Sequence, residues 1–182
     1  MSVITNEIPP TPTGNQPLVV VMGVSAVGKS SVAAELSRVT GIPWKDGDDL
    51  HPKQNVAKMA AGTPLTDHDR WPWLDKVGAT LAHARPEEGA IIACSALRRT
   101  YRDRIRTSAP EAVFVHLTGD RDLLARRAES RPHHFMPSSL LDSQFATLEP
   151  LEVDENGVAI DVSNPVVDIA ARAADWIDHH GR

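Results

Sequence analysis

The chain has 182 residues, of which 41% are hydrophobic and 24% charged, a composition that is typical of globular proteins and excludes a fibrous or wholly disordered chain. It carries 19 basic and 24 acidic side chains, which gives a formal net charge of −5. Because nucleic-acid backbones attract net positive charge, this balance argues against a general nucleic-acid-binding protein.

The cysteine content and the amino terminus bear on the cellular compartment. Cys94 is the single cysteine, so no intramolecular disulfide can form and secretion gains no support. The amino terminus lacks the basic and apolar regions of a signal peptide, and the longest apolar runs are far too short for a membrane span. We therefore expect a soluble, cytoplasmic protein without a membrane partner.

The first ordered elements follow a proline-rich start. Residues 1–17 contain four prolines and no periodicity, which predicts a disordered tail before a single domain over residues 18–182. The apolar run Leu18–Met22 predicts a strand buried on both faces. A helix is expected beyond residue 30. Its apolar face would be formed by Val32, Leu36 and Val39, and its carboxy-terminal cap by Gly41.

Three further strands are expected, and each is followed by a helical pattern. Their ranges are Ala90–Cys94, Ala112–Leu117 and Val158–Val162, the last after an Asn156-Gly157 turn. The helix before the last of these strands is marked by Leu123, Leu124 and Ala128, with Asp120 and Asp122 in its first turn. Alternating strands and helices predict an α/β fold, in which helices cover both faces of a parallel sheet.

The last helix should begin at Asn164 as N-cap and Pro165 as first residue. Its apolar face would be formed by Val166, Ile169, Ala173 and Ile177.

Two long intervals separate the regular elements. Residues from about 47 to 88 are expected to form a substrate-binding insertion, with one helix near Trp73, Leu74, Val77 and Leu81. Residues from about 130 to 150 are expected to form a lid, with Leu141, Phe145 and Leu148 at helical spacing. Insertions at strand ends of such sheets are common places for substrates.

The segment Gly23–Ser30, here called the phosphate loop, fits the pattern G-x-x-x-x-G-K-[ST] between a buried strand and a helix. Glycine allows backbone N–H groups to surround anionic oxygens, and the following helix adds the positive end of its dipole. Lys29 is expected at the β- and γ-phosphates and Ser30 at Mg²⁺. The predicted nucleotide-binding residues here are Gly23, Val24, Ser25, Ala26, Val27, Gly28, Lys29, Ser30 and Ser31.

A second polar segment, Asp46–His51, contains three carboxylates and a histidine within six positions. It would leave the second strand beside the phosphate loop, where carboxylates can support Mg²⁺ or accept a hydroxyl proton. A solvated Asp-Gly turn and a dedicated metal site of Asp46, Asp48 and His51 are the alternatives. Carboxylate oxygens beside a phosphate-binding loop suit Mg²⁺ better than Zn²⁺.

These segments resemble gluconokinases, small P-loop kinases related to shikimate kinases. The matching residues occur in the same order over most of residues 18–150, and the Asp-Gly-Asp to His-Pro and Cys-Ser-Ala-Leu blocks are the specific ones. The matches are Met22–Ser25, Gly28–Ser30, Asp46–Asp48, Leu50–Pro52, Asn55, Lys58–Met59, Gly62, Pro64–Leu65, Asp67, Asp69–Arg70, Pro72–Leu74, Cys94–Arg98, Tyr101–Asp103, Arg127, Arg131, His134–Phe135, Gln144–Phe145 and Thr147–Glu149.

The resemblance implies ATP- and Mg²⁺-dependent phosphorylation of D-gluconate on its 6-hydroxyl. It also implies a five-stranded parallel sheet in the order 2-3-1-4-5, a mobile lid and a homodimer. Two departures are visible: Ala26-Val27 replaces the commoner Gly-Ser, which should stiffen the loop, and Pro150 follows Glu149 directly, which affects the end of the lid.

On the acceptor side, Asp48 is expected to orient or deprotonate the acceptor hydroxyl, and Asp46 to support Mg²⁺ through water. Arg70 resembles the substrate arginine of related kinases and suits a carboxylate, although an ion pair with Asp67 or Asp69 is the alternative. His51 would either bind a substrate hydroxyl or cap local backbone.

Other candidates follow the third strand and lie in the lid. Ser95 and Arg98 are expected to bind substrate, whereas the remaining arginines of the run Arg98–Arg106 would mostly form a solvated helix face, and Cys94 would be an inert core residue. By resemblance, Arg127 and Arg131 would stabilise the transferred phosphoryl group, Arg127 would also contact nucleotide, and His134 would contact substrate. Asn164 and Pro165 are expected near adenine.

Two other functions stay open at this point. A shikimate-type kinase would share the phosphate loop, but such enzymes carry a glycine-rich run where this chain has Ser95–Arg98. A nucleotide-sensing protein without turnover is the second alternative, and the presence of Lys29, Ser30 and Asp48 argues against it.

Overall fold

The computed structural model describes residues 14–130 and 138–181. Within these ranges the chain forms a five-stranded parallel sheet with the strand order β2-β3-β1-β4-β5. The strands, in chain order, are β1 Leu18–Met22, β2 Trp44–Asp46, β3 Ala90–Ala93, β4 Val113–Thr118 and β5 Gly157–Asp161. The parallel sheet agrees with the sequence pattern, and its strand order is the one that the family resemblance implies.

Seven α-helices and one short 3-10 helix are present in the described residues. The 3-10 helix, Gly47–Leu50, follows β2 directly. The α-helices are α1 Lys29–Thr40, α2 Lys53–Ala60, α3 Asp67–Ala82, α4 Arg99–Ser108, α5 Arg121–Glu129, α6 Ser138–Thr147 and α7 Val166–His180. None of these described helices is long and apolar enough to cross a membrane.

The central strand β1 explains the continuous apolar run that begins the domain. It lies between β3 and β4, with Val20 opposite Ile92 and Phe114. One face of the sheet is covered by α1, α5, α6 and α7, and the other by α3 and α4. Since apolar side chains pack against both faces of β1, no polar alternation appears in its sequence.

The apolar faces predicted for two helices and the N-cap predicted for one helix differ from the structure. Val39 is 45% exposed and Val166 38% exposed, so neither belongs to the apolar face of its helix. The last helix takes Pro165 rather than Asn164 as N-cap. Gly41 ends α1 as expected, in a left-handed conformation with φ 77°.

The amino-terminal tail expected over residues 1–17 lies mostly outside the described residues. In its described part, the Gln16 amide donates to the Pro86 carbonyl and the Ala90 amide to the Pro17 carbonyl. These bonds tie residues 16 and 17 to the start of β3, ahead of the first strand.

The arginine run in α4, which was expected mostly to form a solvated helix face, contains one buried member. Arg102 is fully buried and bonds Glu155 through Nε at 2.7 Å and Nη2 at 2.8 Å. Its Nη1 also donates to the Ala96 and Leu97 carbonyls at 3.0 and 3.3 Å. Arg102 therefore holds the turn after β3 to the segment before β5 with a bidentate ion pair.

The Arg102–Glu155 pair predicts an acid-sensitive contribution to stability. Burial alone would raise the pKa of Glu155, but hydrogen bonds from Arg102 and Arg106 outweigh it and lower the pKa from 4.5 to about 2. The contribution is therefore complete above pH 4.5 and lost as the pH falls toward 2. Glu155→Gln leaves a buried guanidinium without its counter-charge, and we expect urea unfolding at pH 7 to show a loss of about 3–5 kcal/mol.

The matched control is Glu152→Gln, which removes a carboxylate from the same segment. Glu152 pairs with Arg99 at 3.0 Å, but its side chain is largely exposed. Its loss should change the free energy of unfolding by at most about 1 kcal/mol. Equal effects of the two substitutions would contradict the special role of the buried pair.

Candidate active site

The phosphate loop connects the end of β1 to the first turn of α1. Gly28 is the N-cap of α1 and has φ 96°, and its residue type supplies no side chain to occupy the free amides of the helix. The positive end of the helix dipole therefore faces the loop interior without a side-chain cap, as an anion site requires. Lys29 folds over the same loop, with Nζ donating to the Val24 carbonyl at 3.1 Å.

Ala26 occupies a backbone conformation that favours glycine. Its φ is 67°, and it is one of two non-glycine residues with positive φ in the described chain. A Cβ in the left-handed region costs on the order of 1 kcal/mol. The loop therefore holds Ala26 in a strained backbone conformation. Alanine at this position also has fewer accessible backbone conformations than glycine would have.

The phosphate loop and the acidic segment line one cleft of about 230 Å³. Lys29 and Ser30 contribute to it from the loop, and Asp46 and Asp48 contribute from the end of β2. The cleft lies at the carboxyl ends of the parallel strands, the usual ligand position in such sheets. The expected juxtaposition of these two elements is therefore present.

Ser30 and Asp46 form the part of the cleft that suits a divalent cation. Ser30 Oγ donates to Asp46 Oδ2 at 3.0 Å, so two hard oxygen ligands lie side by side beneath the loop. The described residues contain no cluster of three or more His, Cys, Asp or Glu side chains that could hold a metal by themselves. One carboxylate and one hydroxyl beside a phosphate site fit Mg²⁺, which takes its other ligands from phosphates and water.

Asp48 projects from the 3-10 helix that follows β2. Asp46 caps this helix by accepting from the Asp48 amide at 3.0 Å. The Asp48 side chain is 82% exposed and lines the cleft. Partial desolvation by the cleft walls and repulsion from Asp46 raise the pKa of Asp48, and Lys29 opposes this rise. The raised pKa makes the carboxylate a better proton acceptor than an isolated aspartate.

His51 is held beside Asp48 rather than serving only as a backbone cap. Its ring stacks on Trp73 with a centroid separation of 4.1 Å, and its Nε2 lies 4.0 Å from Asp48 Oδ1. Burial, with a smaller contribution from the charge of Arg70, lowers the pKa of His51 to about 4. The imidazole is therefore neutral near pH 7.

Arg70 and Arg98 meet at the carboxylate of Asp67. They approach it at 3.6 and 3.3 Å, and the Tyr101 hydroxyl donates to the same carboxylate while accepting from Arg70 at 3.2 Å. Both guanidinium groups also lie over the Tyr101 ring, at 5.5 and 5.9 Å from its centroid. Asp69 is engaged elsewhere, with Lys58 at 2.8 Å. The ion pair expected as the alternative for Arg70 is therefore made with Asp67.

The remaining candidates are more scattered. The Ser95 carbonyl accepts from the Gly23 amide at 3.3 Å, which joins the end of β3 to the phosphate loop. Arg127 does not line the cleft, because its Nη2 donates to the Val162 carbonyl at 2.8 Å beyond β5. Asn164 and Pro165 are exposed near that same strand end. Arg131 and His134 lie outside the described residues.

Cys94 is the inert core residue that was expected. It is 1% exposed at the end of β3. Burial is the main reason that the pKa of its thiol rises to about 12, which leaves no reactive thiolate near pH 7.

Gln144 contacts the phosphate loop, a contact that the sequence did not predict. The Ser25 amide donates to Gln144 Oε1 at 2.6 Å, across 119 positions of sequence. Phe145 in α6 and Leu148 just after it pack against the core. The bond connects α6 directly to the phosphate loop, so the position of α6 and the shape of the loop are coupled.

Comparison with known proteins gives consistent matches. Residues 25–173 match the protein family described as "Shikimate kinase". "Thermoresistant gluconokinase" of Escherichia coli (strain K12) is 40% identical over 160 residues, which cover 87% of this chain and 91% of that protein. "Gluconokinase" of Gluconobacter oxydans (strain 621H) is 47% identical over 137 residues, which cover 75% of this chain and 77% of that protein. The crystal structure of a gluconokinase from Sinorhizobium meliloti 1021 is 46% identical, with a TM-score of 0.82 and coverage of 90% of this chain and 92% of that one.

The Gln144 contact predicts that α6 supports nucleotide binding. Gln144→Ala removes the acceptor that holds the Ser25 amide, so the loop loses part of its preorganisation. We expect the affinity for a nonhydrolysable ATP analogue, measured by titration calorimetry, to fall about two- to tenfold, the worth of one hydrogen bond. The neighbouring Ser143→Ala serves as control. A higher affinity in Gln144→Ala would instead show that the Gln144 side chain competes with phosphate for the Ser25 amide.

Proposed function

The chain belongs to the gluconokinase family of small P-loop kinases, and from that premise we propose that it transfers the γ-phosphoryl group of ATP to the 6-hydroxyl of D-gluconate, giving 6-phosphogluconate and ADP. The observation that carries the proposal is the common cleft, in which Lys29 and Ser30 face Asp46 and Asp48. A triphosphate and an alcohol bound there would meet at one place.

The donor half of the reaction follows from the phosphate loop. Backbone amides and the α1 dipole bind the phosphates, and Lys29 adds a positive charge at the transferred group. These fixed charges stabilise the charge that spreads over the phosphoryl oxygens in the transition state. Ser30 and Asp46 would hold Mg²⁺, which supplies further charge neutralisation when it is bound.

The acceptor half depends on Asp48 and on the arginine pair. Asp48 accepts the hydroxyl hydrogen and aims the oxygen at the phosphorus, and its raised pKa favours proton uptake as the bond forms. Arg70 and Arg98 would bind the gluconate carboxylate, because they already hold the Asp67 carboxylate between them. The substrate carboxylate would thus compete with the Asp67 carboxylate for the two guanidinium groups, which lie over the Tyr101 ring.

Several finer assignments belong to this proposal. Arg127 and Arg131 would reach the phosphoryl group, and His134 the substrate, when the lid of about residues 130–150 closes and excludes water. Ser95 would bind substrate, and Asn164 and Pro165 would contact adenine. A homodimer and a cytoplasmic location complete it, both taken from the family resemblance and the sequence.

An ADP-release assay with a panel of acceptors tests the substrate. We expect ADP release with D-gluconate to exceed that with shikimate, other sugar acids or no acceptor by at least about 100-fold, since a site built for a polyhydroxy acid leaves polar groups unpaired with other ligands. Lys29→Ala should reduce kcat by orders of magnitude. Preference for shikimate would favour the shikimate-type alternative, and binding of ATP without turnover on any acceptor would favour a sensor.

Asp48→Asn tests the acceptor side separately from the nucleotide site. The substitution keeps the shape of the side chain but removes the proton acceptor, so kcat with gluconate should fall about 100-fold or more while the KM for ATP stays within about threefold. The adjacent Asp49→Asn is the control, since Asp49 does not line the cleft. Equal kcat values for Asp48→Asn and the parent would refute the assignment.

A further inference from the structure

Asn55 is a buried polar residue that none of the roles above uses. It lies in α2 and is 1% exposed. Its Nδ2 lies 2.9 Å from the backbone carbonyl oxygen of Asp69 and 3.2 Å from Nδ1 of His51. A carbonyl oxygen only accepts hydrogen bonds, so the group that faces it must be the NH2 of the carboxamide. The Asp69 carbonyl therefore determines which way the Asn55 amide points.

The orientation of Asn55 in turn determines the tautomer of His51. One hydrogen of the NH2 group is directed to the Asp69 carbonyl, and the other is directed to His51 Nδ1. A hydrogen on Nδ1 would set two donors against each other, so Nδ1 must carry the lone pair. The hydrogen of the neutral ring is then on Nε2.

The ring of His51 is also fixed in its plane. It stacks on Trp73 at an interplanar angle of 16°, and only 4% of its side chain is exposed. Trp73 is itself held by a bond from its Nε1 to the Gly47 carbonyl at 2.8 Å. The charged groups that face the ring are Asp48 and Arg70. The Nε2–H group therefore points toward Asp48.

The distance between His51 and Asp48 suits a bridging hydroxyl. Nε2 and Oδ1 are 4.0 Å apart, too far for a direct hydrogen bond. For an oxygen atom about 2.8 Å from both groups, the Nε2–O–Oδ1 angle would be about 90°. An alcohol can accommodate this angle while it donates to one group and accepts from the other. His51 would donate to this oxygen, and Asp48 would accept its hydrogen.

We infer that Asn55 is a positioning residue that holds His51 as the Nε2–H tautomer, so that His51 and Asp48 together fix the acceptor hydroxyl. The tautomer follows from the hydrogen bonds of the chain alone. The identity of the hydroxyl as that of a sugar acid rests on the proposed function. Asn55 acts through His51 and need not touch the substrate.

Nitrogen-15 NMR of the unmodified protein tests the tautomer without any variant of Asn55. Two-bond correlations between ring hydrogens and nitrogens distinguish the tautomers, and comparison with His51→Gln assigns the signal among the eight histidines. At pH 7 we expect His51 Nδ1 to have the chemical shift of an unprotonated nitrogen and Nε2 that of a protonated one. The opposite pattern, or an averaged one, would overturn the inference.

Asn55→Leu tests the positioning role in the assay. It removes the NH2 group, and Gln54→Leu removes a carboxamide from the adjacent exposed position of the same helix as the matched control. We expect Asn55→Leu to lower kcat about tenfold or more with little change in the KM for ATP, as loss of an outer partner of a functional imidazole does elsewhere. Its His51 signal should also shift toward a mixture of tautomers.

The two measurements separate the possible failures. An Nε2–H tautomer combined with an unchanged kcat in folded Asn55→Leu would overturn the positioning role. If the parent protein released no ADP with gluconate, the proposed function would fail, while the NMR spectrum would still decide the tautomer. A loss of kcat in Gln54→Leu equal to that in Asn55→Leu would also refute a specific role for Asn55.

Discussion

The positions of the two cleft carboxylates depend on a close backbone contact at Gly47. A Cβ at this position would lie 2.5 Å from the Ala93 carbonyl oxygen at the end of β3, a distance that no side chain tolerates. The Gly47 carbonyl also accepts from Trp73 Nε1 at 2.8 Å. Because these contacts press the turn against the sheet, Asp46 reaches Ser30 while Asp48 lines the cleft. Backbone packing therefore places both groups.

The helix α3, which has a capping box at its N-cap Thr66, carries two side chains of the proposed acceptor side. Arg70 and Trp73 lie one turn apart on it, so the arginine that faces Asp67 and the ring that stacks on His51 share one rigid element. Gly78 brings the same helix close to α4, since a Cβ there would lie 2.8 Å from the Ile105 carbonyl oxygen. Groups held by packed helices keep their geometry better than groups on loops.

How far the sequence predicts the site depends on how local each signal is. The phosphate loop and the strand order could be expected, since the loop is one continuous motif and the family resemblance supplied the topology. Contacts between distant positions leave no local pattern. Gln144 bonds Ser25 across 119 positions, and Arg102 meets Glu155 across 53, within an arginine run that otherwise is typical of a solvated face. The tautomer of His51 likewise depends on Asp69, which only the fold brings near.

Asp46 and Asp48 belong to one turn but have different environments, and this difference supports the separate roles proposed for them. Both oxygens of Asp46 accept hydrogen bonds, from Ser30 and from the Asp48 amide, which hold its carboxylate in one orientation. Partial desolvation and, to a smaller extent, the charge of Asp46 raise the pKa of the Asp48 carboxylate. Two carboxylates in such different environments suit the proposed division between metal binding and proton transfer. The neutral ring of His51 adds a donor without adding charge, so the raised pKa of Asp48 is preserved.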